Sequence, residues 1–269
     1  MSDSVDLYNT YYGHLTDDPQ AAVRRETYGE DLGQSSWITL AEALEWFALL
    51  ALAPERRALE VACGSGGVTL RMARETGATC IGVDINAHGI NSANALAAAS
   101  GLAGQLTFDI VNAGIRLPFQ DAEFDAVFCN DAILHLPDRL RVLEDWYRIL
   151  KPGGRVLFTD PIIVTGQLTH EEIRSRSSIG FFVFTPLGTN EQLLERAGFR
   201  LLEVRNVTTA VMSVAARWHE ARLKRRKLLV QHETDAVFDG IQAFLETVHC
   251  LAAEQRLSRY MFLAEKPGI

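Results

Sequence analysis

The chain has 269 residues, of which 48% are hydrophobic and 22% are charged, and its formal net charge at pH 7 is −8. These values are typical of a globular protein with a sizeable core, and they exclude the disordered, collagen-like and disulfide-rich classes. A broad nucleic-acid surface requires a basic domain, so the acidic balance predicts that nucleic acid is not a partner.

The apolar runs and the cysteines indicate the cellular compartment and whether the chain could span a membrane. The longest uninterrupted apolar run, at 46–53, is too short to span a bilayer. Asp3 and Asp6 precede the first basic residue, Arg24, which is unlike a signal peptide. The four cysteines lack C-x-x-C spacing, which predicts reduced and mostly buried thiols. We therefore expect a cytoplasmic monomer or homodimer that binds no membrane and no metal.

The hydrophobic pattern changes at residue 58. Residues 1–57 have a helical pattern with turn signals at Gly13, Pro19 and Gly33, and we expect them to form a lid. From residue 58 onward, short apolar runs alternate with helical stretches, which predicts parallel strands covered by helices on both faces. The predicted strands lie at 58–62, 78–83, 105–110, 124–129, 154–159 and 200–205.

The C-terminal part completes the predicted architecture. Residues 207–258 have a helical pattern, and an apolar run at 259–264 predicts an antiparallel edge strand. We predict an α/β fold with a doubly wound, mostly parallel sheet of seven strands. Residues 58–206 would form the ligand-binding core, 207–258 a helical substrate cap inserted in it, and 259–269 the last core strand and tail. Ligands of such sheets bind outside the carboxyl ends of the strands.

A glycine-rich turn follows the first predicted strand and reads EVACGSGG over 60–67, while the second strand ends at Asp84. Such a turn lets a ligand approach the backbone, and a carboxylate at the second strand suits the hydroxyls of a ribose. A nicotinamide dinucleotide would place its pyrophosphate beside Glu60, where like charges repel. The ammonium of S-adenosylmethionine, which has no phosphate, suits that acid. The charges favour S-adenosylmethionine; a dinucleotide and a turn used only for packing are the alternatives.

Four ordered motifs, between about Leu59 and Thr159, resemble those of the class I S-adenosylmethionine-dependent methyltransferases. They are LEVACGSGG, IGVDI, VNAGIRLPFQDAEFDAVFCNDAILHL and RILKPGGRVLFTDP. The resemblance implies the Rossmann-like methyltransferase fold and a small-molecule methyl acceptor. It also implies the cofactor S-adenosyl-L-methionine, which leaves as S-adenosyl-L-homocysteine.

Further motifs resemble one branch of that family, which methylates sarcosine, dimethylglycine or phosphoethanolamine. They are NDAILHLPDR followed by TDP, and YGED at 28–31. The phosphoethanolamine enzymes hold the phosphate with basic and tyrosine side chains after the fifth strand. Here that stretch is FFVF at 181–184, which favours an apolar or aromatic acceptor.

The strand ends carry the predicted cofactor contacts. Asp84 would bind the ribose hydroxyls, and the amide oxygen of Asn112 would accept from the adenine amino group in place of the family's usual acid. The backbone of Ala113 would face the adenine edge, and Asn130 would lie next to the methyl group. The predicted cofactor-binding residues are Tyr28, Glu60, Ala62, Gly64, Gly66, Asp84, Ile85, Asn112, Ala113 and Asn130.

His135 is the catalytic candidate, because an amine or phenol must lose a proton before it attacks, and a histidine suits that task. The alternative is a histidine packed beneath the helix at 138–150. Tyrosine hydroxyls can also orient a nucleophile, and we predict that role for Tyr12. Covering the cofactor, or ordinary helix packing, is the expectation for Tyr8, Tyr11, Tyr12 and Tyr28.

The acceptor itself is predicted from fewer residues. Asp131 could hold a substrate cation or could simply start a turn. Phe181 and Phe182 are predicted to line the acceptor pocket, with core packing as the alternative. Five basic residues at 222–227 could bind an acidic partner, although such a run is more often a solvated helix face.

The sequence therefore predicts a methyltransferase that acts on a small molecule, with an amine nitrogen as the leading acceptor. An oxygen or carbon of an aromatic natural product is the runner-up. A catalytically silent protein that binds the cofactor as a partner or sensor is the alternative from another class.

Overall fold

A computed structural model describes residues 8, 11–13, 15, 17–102 and 104–268 of the chain. Of the predicted lid, residues 1–7, 9, 10, 14 and 16 lie outside the described residues. The described part of the lid contains helix α1 (Asp18–Tyr28) and helix α2 (Leu40–Leu49). Helix α2 begins in a capping box, in which Thr39 and Glu42 each accept a backbone N–H bond from the other.

The sheet contains a strand at each of the seven predicted positions along the chain. Its strands are β1 (Arg57–Val61), β2 (Thr79–Asp84), β3 (Leu106–Ile110), β4 (Phe124–Cys129), β5 (Leu150–Val164), β6 (Thr185–Pro186), β7 (Arg200–Asn206) and β8 (Leu257–Glu265). Seven strands run in the order β3-β2-β1-β4-β5-β8-β7, and β6 pairs with β5 off this path. Strand β8 is antiparallel to both its neighbours, and the pairs among β1 to β5 are parallel. The last strand is antiparallel as predicted, but it is not at the edge of the sheet, because β7 pairs with its outer side. The predicted α/β fold with a mostly parallel sheet is confirmed; the two-residue strand β6 is additional.

Helices cover both faces of this sheet. They are α3 (Gly67–Thr76), α4 (Ala87–Ser100), α5 (Arg139–Ile149), α6 (His170–Arg176), α7 (Thr189–Arg196), α8 (Thr208–Lys224), α9 (Arg226–Leu229) and α10 (Asp235–Ala253). Strand β1 has three apolar residues, and they pack on both faces of the sheet. Ala58 packs in one cluster with Trp46, whereas Leu59 and Val61 pack in another with Trp146. A strand covered on both faces carries apolar side chains on both, and Glu60 is the charged exception among the buried residues of β1.

The helices inserted before β8 pack onto the N-terminal segment. Val211 and Phe244 bring α8 and α10 together around Trp37, and Val23 of α1 packs against Phe238 of α10. The predicted lid and the predicted cap thus share apolar contacts over one end of the sheet. Within the described part of the chain, we find no helix with the length and apolar character needed to cross a bilayer.

Four of the five basic residues at 222–227 form ion pairs within the chain. Arg222 is buried and pairs with Glu233. Lys224 and Arg225 both pair with Glu26 of α1, and Arg226 pairs with Asp235 and Asp239. These contacts fasten α8 and α9 to α1, to α10 and to the turn before α10, and they account for four of the five basic residues without an external partner.

Candidate active site

The glycine loop between β1 and α3 is shaped by backbone conformations that only some residues adopt readily. Ala62, Gly64 and Gly66 all have left-handed backbone, with φ of 58°, 56° and 77°. For Ala62 this conformation costs about 1–2 kcal/mol, since its Cβ crowds the following carbonyl. A Cβ at Gly66 would lie 2.7 Å from Ala93 and from Phe108, so Gly66 packs tightly against the body of the sheet.

Asp84 joins the first two strand ends. Its two carboxylate oxygens accept the backbone N–H groups of Gly64, at 2.9 Å, and of Asn86, at 2.8 Å. Burial raises the pKa of this carboxyl, and the backbone donors oppose the rise. Each oxygen keeps a further lone-pair direction. The neighbouring Ile85 is 63% exposed and offers an apolar surface next to this carboxylate. A carboxylate with free lone-pair directions beside an apolar surface could hold a ribose next to a flat ring, and the predicted ribose contact of Asp84 stays a prediction.

Glu60 is a buried acid at the mouth of the loop. The hydroxyl of Thr69 donates to its Oε2 at 2.5 Å. Burial raises the pKa of the Glu60 carboxyl to about 8, against the lowering effect of the Thr69 hydrogen bond, and the charge of Asp84 adds to the rise. The carboxyl therefore holds its proton at neutral pH. An approaching cation would favour the ionised form, which fits the ammonium predicted here.

Most predicted cofactor residues surround one cavity at the carboxyl ends of the strands, which we call the glycine-loop cavity. Eight of them line it: Glu60, Ala62, Gly64, Asp84, Ile85, Asn112, Ala113 and Asn130. Gly66 lies behind the loop. The amide oxygen of Asn112 accepts the Gly114 N–H at 2.9 Å and keeps one lone-pair direction for the predicted adenine contact. In the described part of the chain, no cluster of His, Cys, Asp and Glu side chains could hold a metal ion.

Tyr28 lies outside this cavity, contrary to the prediction. Its hydroxyl donates to the carbonyl of Ser36 at 2.6 Å, and its ring packs against Trp218. Both ends of the side chain are thus used to hold the lid segment around Ser36 against α8. The structure gives Tyr28 a supporting position instead of a cofactor contact.

A second cavity, the aromatic cavity, lies between the lid, α6 and the helices α8 and α10. Its apolar lining includes Trp37, Leu134, Phe182, Trp218, Phe244 and Leu245. Five residues line both cavities: Tyr8, Ser35, Ser36, Asp131 and His135. A group bound in one cavity would therefore meet a group bound in the other at these five side chains.

His135 lies at this junction with a defined tautomer. Its Nδ1 is 3.0 Å from the carbonyl oxygen of Phe181, which can only accept, so Nδ1 carries the proton. Its Nε2 then accepts from the Tyr8 hydroxyl at 3.2 Å. Burial lowers the pKa of His135 to about 4, and burial raises the pKa of Tyr8 to about 12. The pair is therefore neutral over the physiological pH range.

The tyrosine next to His135 is Tyr8, and the predicted catalytic residue Tyr12 lies elsewhere. The Tyr12 hydroxyl is 3.2 Å from the Ser35 hydroxyl and stands over Gly64. Tyr12 lines only the glycine-loop cavity. Four tyrosines within the lid have similar sequence surroundings, and only the fold shows which one faces the histidine.

Asp131 and Asn130 hold the lid segment at 35–37. Asp131, with φ of 52°, accepts from Arg259 Nε at 2.7 Å, from the Thr159 hydroxyl at 2.7 Å and from the Trp37 N–H at 2.9 Å. Asn130 Nδ2 donates to the Ser36 hydroxyl at 2.7 Å. The Asp131 carboxylate is therefore committed to protein partners, and its predicted contact with a substrate cation stays a prediction.

The two phenylalanines predicted to line the acceptor pocket lie in different cavities. Phe181 is 57% exposed and lines the glycine-loop cavity, while Phe182 lines the aromatic cavity with its ring centroid 5.1 Å from that of His135. No sequence motif points to Trp218 and Phe244, because they come from distant helices that only the fold brings together. Arg176 of α6 was also missed, and it lines the same cavity.

Comparison with known proteins agrees with this geometry. A family model described as a methyltransferase domain matches residues 59–158. Methyltransferase GfsG of Streptomyces halstedii is 31% identical over 192 residues, which are 67% of this chain and 68% of that protein. O-methyltransferase resE of Aspergillus sclerotiorum is 28% identical over 214 residues, 77% of this chain and 80% of that protein.

A solved structure shares the fold. Phosphoethanolamine N-methyltransferase 2 of Haemonchus contortus, in complex with phosphomonomethylethanolamine and S-adenosylhomocysteine, superposes with a TM-score of 0.80 at 22% identity. The superposition covers 95% of this chain and 59% of that one.

Proposed function

Because the chain belongs to the S-adenosylmethionine-dependent methyltransferases, acting on a small molecule, we propose that its acceptor atom is a hydroxyl oxygen. The observation that carries this proposal is the neutral Tyr8–His135 pair at the junction of the two cavities. A hydroxyl group is a poor nucleophile until it loses its proton, and His135 Nε2 is an unprotonated acceptor at this junction.

The charges around the aromatic cavity also favour a hydroxyl over a cationic amine. Among the described residues, two carboxylates line that cavity, and each already forms an ion pair with an arginine. Asp131 pairs with Arg259, and Glu233 pairs with Arg222. A buried ammonium would have no free carboxylate to offset its desolvation, whereas a neutral hydroxyl needs none.

The residues around the glycine loop would hold the cofactor. Asp84 would bind the ribose, Ile85 would cover the adenine, and Glu60 would meet the ammonium. When bound, S-adenosylmethionine supplies a methyl group on a positively charged sulfur. Tyr12 closes the loop from the lid side, and the apolar lining of the aromatic cavity keeps water from the junction.

His135 would take the hydroxyl proton onto Nε2, either through Tyr8 or directly once the acceptor hydroxyl has replaced the Tyr8 hydroxyl at the single lone pair of Nε2. The hydrogen bond to the Phe181 carbonyl fixes the ring and keeps the proton on Nδ1. In the relay, the Tyr8 hydroxyl gives its proton to Nε2 while it accepts the proton of the acceptor. Either route moves one proton away as the new bond forms, and the low basicity of the buried histidine lets it return the proton to solvent afterwards.

An amine acceptor is the second candidate function. What supports it is the shared fold with the phosphoethanolamine N-methyltransferase and the motifs that resemble that branch. An amine would also need to give up a proton, so the same pair would serve. We also propose that α8, α9 and α10 act as the substrate cap, because α8 and α10 supply Trp218, Phe244 and Leu245 to the cavity wall.

A matched acceptor panel tests the proposal. It contains 7-hydroxycoumarin, 7-aminocoumarin, sarcosine and phosphoethanolamine, each incubated with methyl-labelled S-adenosylmethionine. Mass spectrometry locates the transferred methyl group. Transfer to the hydroxyl compound that falls sharply in His135→Ala is the expected result. Transfer confined to the amines would replace the proposal by the second candidate, and cofactor binding without any transfer would favour a silent partner protein.

A further inference from the structure

Arg176 is a buried cation in the wall of the aromatic cavity. It ends helix α6, and its side chain is 3% exposed. The guanidinium carbon lies 4.9 Å from the ring centroid of Phe182 and 5.1 Å from that of Phe244, so the cation packs on two aromatic rings. Such stacking fixes the orientation of a guanidinium while leaving its edge donors for another partner.

The charges near Arg176 are already committed to other arginines. The carboxylates that act on it electrostatically are Asp131 and Asp160. Asp131 pairs with Arg259, and Asp160 pairs with Arg139. In the part of the chain that the structure describes, Arg176 itself has neither a hydrogen bond nor an ion pair. Its positive charge is therefore not balanced by a paired carboxylate at this wall of the cavity.

An unpaired buried cation lowers the stability of the fold, because the protein interior solvates a charge less well than water does. A guanidinium cannot avoid this cost by losing its proton at neutral pH. Burial does lower the pKa of Arg176, to about 10, which still leaves it charged. The five N–H donors of the side chain match the two oxygens of a carboxylate in a planar, two-bond arrangement. The same cavity contains Tyr8 and His135, so an anion at Arg176 would belong to the molecule whose hydroxyl is methylated.

We propose that the acceptor is an apolar, aromatic hydroxy acid whose carboxylate pairs with Arg176 while its hydroxyl lies at the Tyr8–His135 pair. This inference rests on the proposed function, since it identifies the acceptor of that reaction. A carboxylate neutralises the buried charge, the aromatic rings enclose the body of the molecule, and the hydroxyl is directed to the junction of the cavities. Neutral analogues would leave the guanidinium unpaired and would bind more weakly.

The test compares acids with their amides, which have the same shape without the charge. The probes are 7-hydroxycoumarin-3-carboxylate and its carboxamide, with benzoate and benzamide as a smaller pair. Binding to the protein loaded with S-adenosylhomocysteine is followed by calorimetry and by quenching of tryptophan fluorescence, since Trp37 and Trp218 line the cavity. The variant is Arg176→Gln. The control is Arg174→Gln, which removes the same charge from the exposed side of the same helix.

The wild type and Arg174→Gln should bind an acid roughly 10- to 100-fold more tightly than its amide, and Arg176→Gln should lose that preference. Equal binding of acid and amide by the wild type, no binding of any probe, or a preference that survives Arg176→Gln would overturn the proposal. The melting temperature of Arg176→Gln should stay level or rise, because an unpaired charge is removed; a fall of several degrees would show a structural role and overturn it. Failure of methyl transfer with an intact acid preference would count against the hydroxyl chemistry alone.

Discussion

The hydroxyl of Tyr12 occupies the space beside Gly64, so that a Cβ built on Gly64 would lie only 2.3 Å from it. This contact joins the lid to the glycine loop at the point where the left-handed backbone turns from β1 toward α3. The loop therefore has two constraints, its own φ angle and the tyrosine above it. A side chain at position 64 would disturb the cavity from inside the loop and from the lid at once.

Gly64→Ala tests this relationship. We expect the added methyl to displace Tyr12 and to weaken binding of S-adenosylhomocysteine by more than ten-fold, as measured by calorimetry. The matched control is Gly153→Ala, which has a similar left-handed φ of 77° but open space around the added Cβ. Gly153→Ala isolates the backbone penalty, about 1–2 kcal/mol of stability. Equal cofactor affinity in both variants would show that Tyr12 does not close the loop.

Asp84→Ala should weaken cofactor binding. The variant loses the two hydrogen bonds predicted to the ribose, which corresponds to roughly 2–4 kcal/mol at about 1.5–3 kcal/mol for each bond to a charged group, less the compensation by water. It also releases the Gly64 N–H, whose partner at 2.9 Å is the Asp84 carboxylate. Asp109→Ala removes an exposed acid from the adjacent strand and should bind normally. Unchanged affinity in Asp84→Ala would remove this residue from the site.

Glu60 should release a proton when S-adenosylmethionine binds. With a pKa of about 8, the carboxyl is protonated at pH 7, and a nearby ammonium would shift it to the ionised form. Calorimetry at pH 7 in two buffers with different ionisation enthalpies measures the release. Glu60→Gln should abolish it, while Glu75→Gln, at the exposed end of α3, should leave it intact. A release that persists in Glu60→Gln would place the titrating group elsewhere.

The same shift has a consequence for stability. Because the folded pKa of Glu60 lies above its ordinary 4.5, the unfolded chain ionises first as the pH rises. Glu60 should therefore reduce the free energy of unfolding progressively between about pH 4.5 and pH 8. The melting temperature of Glu60→Gln, relative to that of the wild type, should rise across this window and level off above it.

The fold was predictable because its signals are local. The apolar residues of β1, the glycines at the turn after it and the acid at the end of β2 are each evident within one stretch of chain. These same positions form the glycine-loop cavity, and eight of the ten predicted cofactor residues line it. Side chains at the ends of neighbouring parallel strands must meet at one edge, so strand order was enough to bring them together.

The acceptor side was less predictable, because it is assembled from distant parts of the chain. Tyr8 reaches His135 across 127 positions, and Arg176 stacks on Phe244 of a helix inserted before the last strand. No periodicity distinguishes Tyr8 from Tyr12, and only the lid geometry places one over the histidine and the other over the glycine loop. Likewise, the commitment of Asp131 to Arg259 depends on a residue of β8 that no local motif marks.

The pH dependence of the reaction should reveal the environment of His135. Burial holds its pKa near 4, against an ordinary 6.5, so Nε2 stays an acceptor well below neutral pH. The kcat/KM of the wild type on 7-hydroxycoumarin should therefore show no inflection near pH 6.5. His135→Ala should be slower by about 10²- to 10⁴-fold, the usual contribution of a positioned acid–base group. Its deficit should shrink as the pH rises, because more of the acceptor is already ionised in solution, and S-adenosylhomocysteine should still bind within a few-fold.

Tyr8→Phe separates the two proton routes: a rate near that of the wild type indicates direct transfer to Nε2, and a loss as large as that of His135→Ala indicates the relay. The control His88→Ala removes an exposed histidine of α4 and should leave the profile unchanged. A His135→Ala variant with wild-type rates from pH 5 to pH 9 would leave alignment and exclusion of water as the whole mechanism.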